Sequence, residues 1–131
     1  MGGESNVEQL KRGHEAFSSQ DMATLTEIIA EDTVWHVAGK SPISGEYKGR
    51  NEVFGFFQKI GELTQGTGKL EAHDYTSSDD HVVALTRFSA TRNGRSITSN
   101  ICEVGHWRDG QNVENWIIFE DPYSVDEFYQ D

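Results

Sequence analysis

Two short pairs, Asn93-Gly94 and Asp109-Gly110, restrict this chain more than any other feature. Each pair tolerates the positive φ angles of a two-residue hairpin turn, and runs rich in β-branched and aromatic residues flank both. The second half therefore reads as a meander of strands over residues 70–77, 82–91, 95–107 and 113–119, stopped by Pro122. The first half reads differently. Val7, Leu10, His14 and Phe17 recur at helical spacing, which predicts an amphipathic helix over residues 6–19. Asp21 is placed to cap a second helix carrying Leu25, Ile28 and Ile29. A short strand is expected over residues 33–38. Residues 39–49, with three glycines and a proline, read as a loop. Helical period returns over residues 50–63, with Val53, Phe54, Phe57 and Ile60 on one side. Ser124 is expected to cap a short last helix bearing Phe128 and Tyr129.

Helices first and strands last predict an α+β domain, with the helices packed on one face of an antiparallel sheet. In the last strand Ile117 and Phe119 alternate with Trp116 and Ile118, so both faces are apolar. A sheet with one wet face alternates more cleanly. The second face is therefore expected to meet a second copy of the chain in a two-fold homodimer.

The 131 residues suit one domain spanning the chain and a sizeable core. The net charge of −11 argues against nucleic acid, whose phosphates need clustered Lys and Arg, and equally against an anionic membrane surface. Cys102 is the only cysteine, so an intrachain disulfide is impossible. Residues 1–6 lack the apolar core of a signal peptide, and no apolar run is long enough to span a bilayer. These features together predict a cytoplasmic protein. His14, His73, His81 and His106 show no ligand spacing for a metal. Gly66-Thr67-Gly68-Lys69 does not complete a phosphate loop, and no cofactor is expected.

Several segments resemble a known group. They are residues 30–37 (Ala-Glu-Asp-Thr-Val-Trp-His-Val), Ser41-Pro42-Ile43-Ser44-Gly45, Gly49-Arg50, His106-Trp107-Arg108-Asp109-Gly110 and Phe119-Glu120-Asp121-Pro122. Over about residues 6–129 the chain resembles the nuclear transport factor 2-like (cystatin-like) superfamily, in its ketosteroid-isomerase and SnoaL-like polyketide-cyclase branch. The resemblance implies a cone-shaped fold, in which a curved sheet wraps the N-terminal helices around a deep pocket for a small apolar organic molecule. It also implies homodimerisation through the sheet. The scaffold hosts isomerases, cyclases, hydrolases and binders, so the likeness alone does not choose a reaction.

Counted from the matching segments, the resemblance puts His36 at the position of the proton-abstracting base and Glu103 at that of the protonated oxyanion donor. An imidazole can accept a proton at neutral pH, and a carboxylic acid in an apolar pocket loses the hydration of its charged form. His36 and Glu103 are accordingly the expected catalytic pair, facing one another across one cavity. A core histidine and a solvated or arginine-paired glutamate are the bland alternatives. By the same resemblance, the oxyanion tyrosine of the isomerases falls at or near Gly13 and a supporting pocket tyrosine at Phe57, neither of which has a hydroxyl. Steroid isomerisation of the familiar kind is therefore not expected. Phe17, Phe54 and Phe57 are expected to close the pocket from the helices. Period-two counting puts Thr86, Phe88, Ser99, Ile101, Glu114, Trp116 and Glu120 on its sheet side. An acid on the last strand acts on substrate in some cyclase-like and hydrolase-like relatives, so Glu114 and Glu120 are read either as such groups or as rim residues. A non-catalytic ligand carrier and a sheet-face interaction module remain the alternatives to an acid–base enzyme.

Overall fold

The computed structural model describes residues 2–130. Helices α1 (Gly2–Ser19) and α2 (Met22–Ile28) lead into β1 (Ile29–Val37), β2 (Gly45–Lys48) and α3 (Arg50–Leu63). Strands β3 (Lys69–Ser77), β4 (His81–Arg92), β5 (Arg95–Arg108) and β6 (Gln111–Phe119) follow, and α4 (Pro122–Phe128) closes the chain. The six strands form one sheet in the order β2-β1-β6-β5-β4-β3. Both Gly-containing turns behave as the sequence predicts: φ is 51° and 79° at Asn93 and Gly94, and 53° and 77° at Asp109 and Gly110.

Three local features differ from expectation. The 39–49 segment contains a short strand, β2, which pairs with β1 from Val37↔Gly45 to Val34↔Lys48. Its four residues carry no apolar alternation strong enough to be seen against the surrounding glycines. Second, β1 pairs with β6 in parallel, so the sheet is mixed. A connection running from the N-terminal half to the last strand leaves no trace in local sequence. Third, the cap of α4 is Asp121. Its carboxylate accepts from the Ser124 N–H at 3.2 Å, and Pro122 opens the helix, where its missing N–H costs nothing. The same geometry caps α2, where Asp21 accepts from the Thr24 N–H at 3.1 Å.

The helices lie on one face of the sheet. Val53 and Phe56 of α3 are buried, Val53 completely, together with Ala16, Leu25 and Ile29. Each of the larger side chains, Val53, Phe56, Leu25 and Ile29, contributes roughly 1.5–3 kcal/mol when fully removed from water. Phe56 therefore takes the core position that the helical period had assigned to Phe54. Val7 and Leu10 of α1 pack on Ile28, Val82 and Trp107 at the other end. No helix among the described residues is long and apolar enough to cross a membrane.

Candidate functional site

The inner face of the sheet and the helices enclose a cavity of ≈ 110 Å³. Leu10, Phe17, Phe56 and Phe57 line it from the helices. Phe88, Ile101, Ile117 and Phe119 line it from the sheet. Phe17 and Phe57 meet edge to face, with ring centroids 5.1 Å apart, and Trp35 meets Phe57 similarly at 5.4 Å. These aromatic contacts fix the apolar wall. A second, shallower hollow, lined by Glu15, Ser18 and Ser19, shares His14 and Leu70 with the cavity.

A chain of three titratable groups reaches this space from β5, α1 and β3. Glu103 of β5 is buried, and its Oε1 lies 3.1 Å from Nε2 of His14 on α1. The other His14 ring nitrogen, Nδ1, lies 2.8 Å from the Tyr75 hydroxyl on β3. Burial, followed by the charges of Glu103 and Glu15, pushes the Tyr75 phenol up from its ordinary range, so it stays protonated. With a neutral imidazole and an ionised carboxylate, one pattern satisfies both contacts. The Tyr75 O–H donates to Nδ1, and the Nε2–H donates to Glu103. Glu103 Oε1 is thereby engaged, whereas Oε2 has no hydrogen bond among the described residues. The arrangement is a carboxylate oriented by a histidine that is oriented in turn by a phenol.

Of the residues expected from the sequence, Glu103, Phe17, Phe57, Phe88, Ser99 and Ile101 line the cavity. So do Gly13 and Phe57, the two positions without the isomerase hydroxyls. Thr86 is buried, but it lies behind the lining, and its hydroxyl donates to the Ile101 carbonyl. Phe54 packs against Phe57 outside the lining, 6.2 Å between centroids. Glu120 is exposed and accepts from Asn100 Nδ2 at 3.1 Å.

His36, Glu114 and Trp116 are on the opposite face, so His36 and Glu103 do not share a site. The reason is one residue of register. Beside the Asp109-Gly110 turn, Arg108 pairs with Gln111 and Trp107 with Asn112, but His106 pairs with Glu114. Val113 is therefore an extra residue, a β-bulge, and beyond it Glu103 pairs with Ile117 rather than with Trp116. Directly paired residues share a face, so Ile117 points inward with Glu103, and Glu114 and Trp116 point outward. His36 pairs with Trp116 across the parallel ladder and turns outward with it.

On that outer face His36 stacks on Trp116, with centroids 5.3 Å apart. Its Nε2 lies 2.8 Å from Glu114 and its Nδ1 3.2 Å from Glu46. His106 continues the row from Glu114 to His81, which meets Asp80 at 2.9 Å. Among the described residues, no group of three or more His, Cys, Asp or Glu is arranged to hold a metal ion.

His14, Tyr75, Trp107, Asn112 and Asn115 are the polar groups of the inner site that sequence reading missed. His14 had one visible signal, a lone titratable group inside the apolar stripe of α1. Tyr75 had none, because a second bulge at His73 sets its face.

The comparisons with known proteins fit this architecture. A family model described as a SnoaL-like domain matches residues 10–115. The structure of Bal32a, from a soil-derived mobile gene cassette, superposes with a TM-score of 0.96 at 37% identity, covering 99% of this chain and 100% of that one. An uncharacterized protein of Mycobacterium tuberculosis is 24% identical over 98% of this chain and 99% of its own length. IdmH, a putative polyketide cyclase from Streptomyces antibioticus, shares the fold at a TM-score of 0.75 and 23% identity, over 92% of this chain and 94% of its own. With four-fifths of its length matched by the family model and its full length by a solved structure, this chain belongs to the SnoaL-like domain family.

Proposed function

We propose that this protein is an acid–base enzyme that moves a proton on a small, mostly apolar carbonyl compound, with Glu103 as the catalytic base. The observation that carries the reading is the buried Glu103 carboxylate in a mostly apolar cavity, held by His14 of the lining, which Tyr75 holds in turn from behind. A buried carboxylate held by a single histidine is costly as a mere structural device, since its second oxygen gains no protein partner. A bound ligand with an acidic C–H would present its proton to that oxygen. The C–H bond breaks, the proton passes to Glu103 Oε2, and the electron pair moves into the carbonyl to give an enolate. Return of the proton to the same or a conjugated carbon completes an exchange or an isomerisation. His14 and Tyr75 act as positioning residues: they keep the carboxylate aimed and balance its charge as it gains and loses the proton. Entry is proposed beside His14 and Leu70, the two residues shared with the outer hollow.

The test is exchange of deuterium from D2O into the α-position of acetophenone and similar single-ring ketones, followed by NMR. We expect catalysed exchange in the natural protein and loss of it in Glu103→Gln. Ketones that bind in the cavity but exchange no faster than in buffer would leave a carrier of such molecules as the better reading.

The outer face is proposed to form a homodimer. Leu85, Cys102 and Ile118 stand side by side across three strands, and Leu85 and Ile118 are 41% and 47% exposed. A contiguous apolar row of this kind on a sheet marks a protein contact.

A further inference from the structure

We infer that Ser99 of β5 is a second polar subsite of the cavity, which holds a neutral hydroxyl or carbonyl oxygen at the end of the ligand remote from Glu103. This rests on the reading of the cavity as a ligand site, though not on proton transfer within it.

Ser99 stands in an apolar row. Period two turns Ile97, Ser99, Ile101 and Glu103 of β5 to one face, and all four line the cavity. Ser99 pairs with Phe88 of β4, which lines it too. Serine suits such a place poorly. It lacks the bulk that strand interiors favour, and it brings a hydroxyl that has to be satisfied. Nearby hydroxyls are satisfied within the protein. Thr86 donates to the Ile101 carbonyl at 3.2 Å, and Thr98, on the outer face, lies 3.4 Å from the Ser89 hydroxyl. Ser99 is only 9% exposed, yet its hydroxyl has no hydrogen bond among the described residues.

This hydroxyl is not sealed in. Among the described residues, Trp107 Nε1 is the one fully enclosed side-chain nitrogen or oxygen without a partner. Ser99 Oγ, likewise unpartnered, therefore keeps open surface, and the space that Ser99 lines is the cavity. An oxygen placed there by a ligand would give it the partner that the protein does not.

The two polar groups stand apart. Ser99 is four residues from Glu103 on the same strand face, roughly 13 Å by strand rise. Arg95 Nη1 donates to the Glu127 and Phe128 carbonyls, which holds α4 over the start of β5. Ser99 thus lies toward α4, and Glu103 lies toward His14. Ile101 stands between them on the cavity wall. A ligand that touches both needs a polar atom at each end and an apolar body over Ile101.

The chemistry of the subsite sets the class of that second atom. A serine hydroxyl both donates and accepts, so it takes a hydroxyl or a carbonyl oxygen. A charged group is disfavoured, because one hydroxyl among Phe88, Ile97 and Ile101 cannot replace the hydration of an ion. The span exceeds one ring with its direct substituents and suits a ring lengthened by a short chain.

The experiment uses two ketones that differ by one hydroxyl, 4-phenylbutan-2-one and 4-(4-hydroxyphenyl)butan-2-one. Each is titrated by calorimetry into the natural protein and into Ser99→Ala, which keeps the space and removes the hydroxyl. Ser99→Ala is expected to weaken the hydroxyphenyl ketone by about 5- to 10-fold and to leave the phenyl ketone unchanged. Its urea unfolding is expected to match or exceed that of the natural protein, because no internal hydrogen bond is lost. An equal change for both ketones, or no change for either, would overturn the subsite and leave the cavity as a ligand site. Failure of both ketones to bind the natural protein would overturn the subsite together with that reading. Exchange of deuterium absent while the hydroxyl-specific loss is present removes proton transfer alone.

Discussion

A histidine–carboxylate pair lies against each face of the sheet, and the surroundings differ. Inside, His14 and Glu103 are 16% and 9% exposed, in an apolar cavity with Tyr75 as the one further polar contact. Outside, His36 is 30% exposed and lies between two carboxylates, Glu46 and Glu114. Water and a second carboxylate can satisfy the outer pair in full. The inner pair has no second carboxylate beside it, and Glu103 Oε2 has no hydrogen bond among the described residues. Identical residue types thus meet opposite surroundings, decided by which face of the sheet they lie against.

The sharpest way to break this contrast is exchange kinetics. Glu103→Gln is expected to lower α-proton exchange by about 10²–10⁴, the usual worth of a positioned base. Glu114→Gln and His36→Ala are expected to leave it unchanged, and equal losses on both faces would erase the distinction. Steroid double-bond isomerisation is expected to be absent in any variant, measured by the absorbance of the conjugated product.

Next in size is assembly. The natural protein is expected to scatter light as twice the 14.7 kDa chain, and Ile118→Glu on the outer face to shift it to the single chain. Ile117→Glu on the inner face is expected to unfold the domain instead. A natural protein that stays monomeric at micromolar concentration would remove the dimer.

Smaller effects concern stability. His14→Ala leaves a buried carboxylate without its donor and is expected to cost about 1–3 kcal/mol by urea unfolding. His36→Ala, on the wet face, is expected to cost about 0–1 kcal/mol. At high pH the inner side should fail first. Burial pushes the Tyr129 phenol up to about 12, opposed by Arg92, and raises Tyr75 as well. A phenol whose folded value is raised stabilises the fold below its ordinary value near 10 and loses that contribution as pH rises through about 12. Melting temperature between pH 9 and 12 is therefore expected to fall less in Tyr129→Phe than in the natural protein. The smallest effect lies at the helix ends. Hydrogen bonds from the Thr24 and Ser124 side chains, then from their N–H groups, hold Asp21 and Asp121 below the ordinary carboxylate range. Their contribution is present above that range and is lost as pH falls through the depressed values. Asp21→Ala and Asp121→Ala are expected to flatten the acid limb of the melting curve slightly.

What local chemistry decides was legible in the sequence. The turns at Asn93-Gly94 and Asp109-Gly110, the Asp21 cap, the α3 boundaries and the inward set Phe88, Ser99, Ile101 and Glu103 all follow from residue type and period. What one extra residue decides was not. Nothing in Gln111-Asn112-Val113-Glu114 announces a bulge, yet Val113 turned Glu114 and Trp116 outward and, through the β1–β6 ladder, His36 with them. Likewise the partner of Glu103 lies 89 positions away in sequence, and α1 meets β5 only in three dimensions.

The extra residue at Val113 gives β6 something like a reading frame. In one frame Asn115, Ile117 and Phe119 are spelled into the cavity, and Glu114, Trp116 and Ile118 onto the outer surface. Loss of Val113 would leave both texts as they stand, because Trp107–Asn112 and His106–Glu114 would simply become consecutive pairs. The texts exchange only if Val113 is taken into the ladder opposite His106: Glu114 would then pair with Gly105 and Trp116 with Glu103, so a carboxylate and an indole would enter the cavity and Asn115 and Ile117 would leave it. The chemical groups that the last strand offers the cavity therefore depend on whether one residue is counted in the ladder or left out of it.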